Sequence, residues 1–135
     1  MSRARQALAD TSVVIDPRSV TEHADELAVS VVTIAELRYG ITADDDLMEQ
    51  QRRRSRVQDA LDRFEVLPFD LAATEFYGTL CTLVRQHGRS PRGRRLDLMI
   101  AATAAQHDLP LLTRNAEDFA GLDTALTVVD LDGAQ

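Results

Sequence analysis

Residues 97–119 read DLMIAATAAQHDLPLLTRNAEDF. Asp97–His107 is apolar on nearly every side of a helical wheel, which predicts a helix buried inside a fold rather than one lying on its surface. Pro110–Thr113 then predicts a short strand, and Asn115–Phe119 one or two turns of helix. Upstream, Gln6–Ala9 and the β-branched Ala28–Val32 predict two more strands. Thr33–Gly40 predicts a helix closed by Gly40, the usual residue just past a helix end. Residues 42–47 (TADDDL) read as a polar loop, and Met48–Phe64 as a helix with a heavily charged face. Val66–Pro68 predicts a short strand stopped by its proline. In Leu71–His87 the apolar residues Ala73, Phe76, Tyr77, Leu80, Leu83 and Val84 keep the 3-4 rhythm of an amphipathic helix. Gly88–Arg95 reads as a loop, Thr127–Val129 as the last strand, and residues 132–135 as a tail that frays. About five short strands therefore alternate with helices. That alternation implies an α/β domain over residues 1–131, with a mostly parallel sheet and helices on both faces. In such sheets the site lies at the carboxyl ends of the strands.

The chain has 135 residues, 44% hydrophobic and 27% charged, with a net charge of −7. Aromatics are only 4% and there is no Trp, so stacking platforms for single-stranded nucleic acid are not expected. All 15 basic residues are Arg. Without a Lys, P-loop NTPase and Schiff-base chemistry are excluded, as are haloacid-dehalogenase-like phosphatases and receiver domains. The single Cys81 excludes an internal disulfide framework and a Cys-rich zinc site. His23, His87 and His107 are far apart and lack metal-ligand spacing. No apolar run approaches the ~20 residues of a membrane span. No secretory signal is evident at the N-terminus, so the expectation is a cytoplasmic protein without a membrane partner.

Four acids stand at element junctions: Asp10 after the first strand, Glu36 early in the helix after the second, Asp97 opening the buried helix, and Asp118 after the strand Pro110–Thr113. Each has a plain structural explanation. Asp10-Thr11-Ser12 fits a capped turn, and Thr33-Ile34-Ala35-Glu36 fits a capping box. Asp97 fits an N-cap. Asn115 fits a cap, with Glu117 and Asp118 at the positive end of the dipole. Jointly they say more, because a parallel sheet puts three of them on one edge and the buried helix carries the fourth inward. Carboxylates so gathered cannot all ionise without a cation or a raised pKa. Oxygen ligands of this kind suit hard divalent cations.

Ala9-Asp10-Thr11-Ser12, Thr33–Leu37 (TIAEL), Asp97–Ala104 (DLMIAATA) and Leu112–Phe119 (LTRNAEDF), in that order, closely resemble the PIN-domain ribonucleases, in particular the VapC-type toxins of bacterial toxin–antitoxin pairs. The resemblance covers nearly the whole chain. It implies a three-layer α/β/α fold and a metal-dependent endoribonuclease using Mg²⁺, with Mn²⁺ substituting. It also implies a homodimer and a VapB-type antitoxin as partner. By position, Asp10 and Asp97 match the principal metal-binding acids. Glu36 completes the cluster, and Asp118 matches the fourth acid, acting on metal or through water. Thr11, Ser12, Thr113 and Asn115 match the polar shell. Many PIN domains carry an acid where this chain has Asn115, which makes the fourth corner less negative. The chemistry implied is in-line attack by water on an RNA phosphodiester.

Arg85, Arg89, Arg92, Arg94 and Arg95 precede Asp97. Arg92, Arg94 and Arg95 are expected to grip RNA phosphates, since Arg forks match phosphate oxygens; a solvated loop is the alternative. Arg114 is expected to touch substrate or to pair with a nearby acid. Arg52, Arg53, Arg54 and Arg56 read as an ordinary charged helix face. Two other functions compete with the nuclease: a catalytically weak PIN-like module that binds RNA or a partner, and a small-substrate phosphatase, which the absence of Lys disfavours.

Overall fold

A computed structural model describes residues 3–133. Its sheet has five strands, all parallel: β1 (Ala4–Ala9), β2 (Ala24–Ser30), β3 (Glu65–Leu67), β4 (Leu111–Thr113) and β5 (Val128–Asp130), in the order β3-β2-β1-β4-β5. The helices are α1 (Thr11–Ile15), α2 (Val31–Thr42), α3 (Leu47–Arg63), α4 (Leu71–Gln86) and α5 (Arg95–Gln106). Three 3₁₀ turns, Val20–Glu22, Arg92–Arg94 and Ala116–Phe119, complete the described elements.

Alternation along the strands divides the core. Leu8, Ala28 and Leu111 point to one face and pack with α4, α5 and Phe119. Ala7, Ala9, Val29 and Leu112 point to the other and pack with Val13, Ile34, Leu37, Val57 and Ala60 of α1, α2 and α3. Successive strand residues face opposite sides, so both faces of each central strand are apolar. The result is a three-layer α/β/α sandwich. Helix α5 matches the all-round apolar pattern: Leu98, Ile100, Ala101, Ala102, Thr103 and Ala104 are all buried. Its one buried hydroxyl, on Thr103, donates to the Met99 carbonyl at 3.0 Å.

The register fixes the functional edge. Ala9 pairs with Val29 on one side and with Leu112 on the other. Asp10, the start of α2 and Thr113 therefore emerge side by side at the carboxyl ends of β2, β1 and β4. The chain runs from β1 outward through β2 and β3, then returns to β4 and β5 on the opposite side. Strand order thus reverses at β1, the position where open parallel sheets form their crevice.

Several boundaries differ from the sequence reading. Val31 and Val32 begin α2 rather than ending β2, because Ser30 accepts a hydrogen bond from Val32 N at 3.0 Å and caps the helix. Thr33 is therefore inside α2, fully buried, and the expected Thr33–Glu36 capping box is replaced by this Ser30 cap. Asp97 is the third residue of α5, not its cap; Arg94 occupies the cap position. Helix α1 was not expected, since Val13-Val14-Ile15 has strand-like composition. Asp10 starts it by accepting from Val13 N at 3.1 Å. In the expected tail, Asp132 is tied down by Arg114 and by its own N–H to Asp130 at 3.0 Å. Residues 134–135 lie outside the described residues.

Candidate active site

Asp10 is only 5% exposed, and its carboxylate is gripped on both oxygens. Oδ1 accepts from Ser12 Oγ at 2.6 Å and from Val13 N at 3.1 Å. Oδ2 accepts from Thr113 Oγ1 at 2.5 Å. These donors are in turn held by the strand β4 turn: Ser12 Oγ accepts from Arg114 N at 3.0 Å, and Thr113 Oγ1 from Asn115 N at 2.9 Å. Three accepted bonds leave about one of the four lone-pair sites of the carboxylate open, which suits one further contact. The Asp10 side chain thus caps α1 and faces the crevice at once.

Thr11 links this acid to the next. Its hydroxyl donates to Glu36 Oε1 at 2.5 Å and lies 3.3 Å from Thr33 Oγ1. Glu36 is half-buried on α2, one helical turn after the buried Val32 and Thr33 and on the same face. With Asp97, Arg92, Arg94 and Arg95 it lines a pocket of about 270 Å³. Asp118, in the 3₁₀ turn after β4, accepts from Arg94 Nη1 at 3.1 Å. Arg94 stands three residues before Asp97, so this bridge brings the fourth acid to the mouth of α5.

The electrostatics agree with the geometry. The Asp97 carboxyl is pushed up to about 6, first by burial and then by the negative charges of Asp118, Glu36 and Asp10, with Arg94 partly opposing them. Acids from residues as far apart as 10 and 118 therefore act together on Asp97. Like charges so placed raise the cost of ionising Asp97.

Among the described residues no three acidic, imidazole or thiol side chains close into a cage for an ion. The donor set still fits a hard divalent cation. It consists of carboxylate and hydroxyl oxygens with a surplus of negative charge, and Mg²⁺ keeps several waters while taking one or two carboxylates directly. The surplus charge, rather than a closed ring of ligands, is what such an ion would relieve.

The sequence-expected residues fall into three groups. Asp10, Glu36, Asp97, Asp118, Thr11, Ser12, Thr113, Arg92, Arg94 and Arg95 all lie in or around the crevice. Asn115 is exposed at the start of its turn and gives it no side-chain cap. Arg114 is paired within the fold. Its side chain is 9% exposed, and its guanidinium donates to the Asp16 carbonyl at 2.8 Å, to Asp132 Oδ1 at 2.5 Å and to the Arg18 carbonyl. Of its two sequence readings, pairing with a nearby acid is the one realised. It clasps the segment after β5 to the loop after α1. Thr33 was passed over as a polar contact. The signal was present in its place three residues before Glu36, which the capping pattern explained too easily.

Comparison with known proteins follows the same lines. The PIN domain family matches residues 7–124. Ribonuclease VapC5 of Mycobacterium tuberculosis is 38% identical over 104 residues, covering 77% of this chain and 74% of that protein. Ribonuclease VapC4 of the same organism is 37% identical over 123 residues, covering 87% and 92%. Among solved structures, VapBC-5 from M. tuberculosis, a member of the VapBC family of toxin-antitoxin systems, superposes with a TM-score of 0.80 at 35% identity, over 93% of this chain and 97% of that one. FitAcB from Neisseria gonorrhoeae superposes with a TM-score of 0.76 at 28% identity, over 92% and 96%.

Proposed function

The chain belongs to the PIN-domain family and within it to the VapC ribonucleases, and on that premise we propose that Asp10, Glu36, Asp97 and Asp118 form the catalytic site of a toxin-type endoribonuclease. One observation carries this: acids from four separate elements meet at the crevice where strand order reverses, closely enough that three of them raise the Asp97 carboxyl. Asp10 and Asp97 are the residues that would hold Mg²⁺, or Mn²⁺ in its place. Such an ion, when bound, stabilises the charge that develops on phosphoryl oxygens and makes water a better nucleophile.

The chain's own residues do the rest. Ser12, Val13 N and Thr113 fix the Asp10 carboxylate in one orientation, so its remaining lone pair points into the crevice without a search through rotamers. Thr11 does the same for Glu36. Glu36 Oε2 and the Asp97 carboxyl are left to orient water and to accept its proton. Arg94 offsets the charge of Asp118, which lowers the repulsion an incoming phosphodiester meets. Arg92 and Arg95, on the exposed rim, offer guanidinium forks to the phosphates of RNA.

The VapBC relatives support a VapB-type antitoxin as partner, and we propose a homodimer as the working form. An RNA substrate supports a cytoplasmic site of action. No helix among the described residues is long and apolar enough to cross a membrane.

The test is RNA cleavage in Mg²⁺, in Mn²⁺ and in chelator, with Asp10→Ala and Asp97→Asn beside the wild type. Cutting that needs the divalent ion and falls at least ~100-fold in both folded variants is expected. Variants that fold and still cut at the wild-type rate would refute the assignment.

A further inference from the structure

Beside the acidic crevice, on the α4–α5 face, lies a second pocket of about 320 Å³ lined by Tyr77, Cys81, Arg85, Ser90, Pro91, Arg92 and Arg95. Three of its seven lining residues are arginines. None of the three guanidiniums has a hydrogen-bond or ion-pair partner among the described residues, unlike Arg53, Arg94 and Arg114, which are all paired. Three like charges held around one cavity repel, and nothing in the fold demands it: Arg85 ends α4, while Arg92 and Arg95 come from the loop and the start of α5. The floor is fixed. Tyr77 packs edge-on against Phe69 with ring centroids 6.3 Å apart, and Cys81 is buried. Both Arg85 and Arg95 are near enough to act electrostatically on the Tyr77 hydroxyl, which locates their charges over that floor.

The pocket is not isolated. Arg92 and Arg95 also line the pocket that holds Glu36 and Asp97. One pair of arginines therefore forms the wall between the acids and this basic cavity. We propose that the basic pocket holds a phosphodiester of the RNA flanking the scissile bond, with Arg85 and Ser90 as its far wall. This rests on the ribonuclease reading for the identity of the strand, but the pocket itself does not. An RNA strand fits better than an acidic protein segment, because only the strand must already lie in the adjoining crevice. A phosphate one or two nucleotides along would reach the shared wall without a new path. The three unpaired guanidiniums then explain how a protein of net charge −7 retains a polyanion next to four carboxylates.

The experiment is binding of fluorescein-labelled RNA in chelator, read by anisotropy, over a series trimmed one nucleotide at a time from either end. Wild type is compared with Arg85→Gln and with Arg63→Gln, an exposed charge at the far end of α3. Wild type should lose about tenfold in affinity when the flanking nucleotide is removed, the worth of a charge-assisted hydrogen bond. Arg85→Gln should bind the longer RNA as weakly as wild type binds the trimmed one, with no further loss on trimming. Its log–log salt dependence should be shallower by about 0.7, one phosphate contact on a single strand. Arg63→Gln should keep the wild-type length step. An unchanged length step in Arg85→Gln would overturn the proposal. So would Arg85-dependent micromolar binding of inorganic phosphate alone, or Arg85-dependent displacement of the RNA by an oligoglutamate peptide. Adding Mn²⁺ to the same samples reads the ribonuclease separately. An Arg85-dependent length step without any cutting supports the pocket and refutes the nuclease, whereas cutting with a length step indifferent to Arg85 refutes the pocket alone.

Discussion

Asp97 has the largest stake in what fills the crevice. Its carboxyl ionises near 6 in the folded chain against an ordinary 3.8. Below both values it is neutral folded or unfolded, and folding is indifferent to pH on its account. As pH rises past 3.8 the unfolded chain loses this proton first, so ionisation favours unfolding, and the penalty grows until about 6 and then stays constant. This is opposite in sign to a salt-bridged carboxylate. Without divalent ions, Asp97→Asn should therefore melt higher than wild type above pH ~6, with the gap shrinking toward pH ~4. A gap that does not change with pH would mean the four acids do not share a field. Thr113 acts on Asp10 in the same neighbourhood. Thr113→Val removes a donor to Asp10 and strands the N–H of Asn115, so a loss of about 1–3 kcal/mol in stability is expected. Divalent affinity should fall about 10–100-fold, as it does when an outer partner of a metal ligand is removed. Thr113→Ser should restore both, and calorimetry of the three proteins checks this.

At the level of elements, what delivers the acids to one place is where each helix starts. Helix α2 begins at Val31 because Ser30 caps it, and that start turns Glu36 toward Thr11 rather than back onto its own first turn. Ser30→Ala should cost about 1 kcal/mol, whereas Thr33 and Glu36 contribute no cap of their own. Denaturant melts of Ser30→Ala and Glu36→Ala separate the two: a larger loss in Glu36→Ala would restore the capping box. The long elements were legible in the sequence. Periodicity placed α4 over Leu71–His87 against the observed Leu71–Gln86, and composition placed α5 to within two residues. The short strands β3, β4 and β5 were also placed to within one residue; what could not be read were helix α1, the 3₁₀ turns Val20–Glu22 and Arg92–Arg94, and the exact caps. Helix α1 has five residues, too few for a period, and its three branched apolar residues resemble a strand. The site was legible in a different way. Each acid fitted a helix start and two of them do serve or flank one, so position alone was silent. Only their joint placement by a parallel sheet made them a site. Arg94 was read as a substrate contact, and sequence had no means of pairing it with Asp118, which lies 24 residues further along.

Over the whole molecule, topology and charge act together. The reversal of strand order at β1 opens a crevice beside Asp10, and the two connections on either side bring Glu36 and Asp118 to its walls. A chain with 22 acidic and 15 basic residues concentrates opposite charges at this edge, the acids within the crevice and unpaired arginines on its rim. The arrangement has a direct consequence in solution: the crevice must attract divalent ions before it attracts RNA. Titration of Mn²⁺ into the RNA-free protein, followed by calorimetry or by the loss of the free-ion resonance signal, measures this. Saturable binding by wild type that is abolished or weakened at least ~100-fold in both Asp10→Asn and Asp97→Asn is the predicted result. Binding that is absent in wild type, or as tight in either variant as in wild type, would contradict a shared ion between residues 10 and 97.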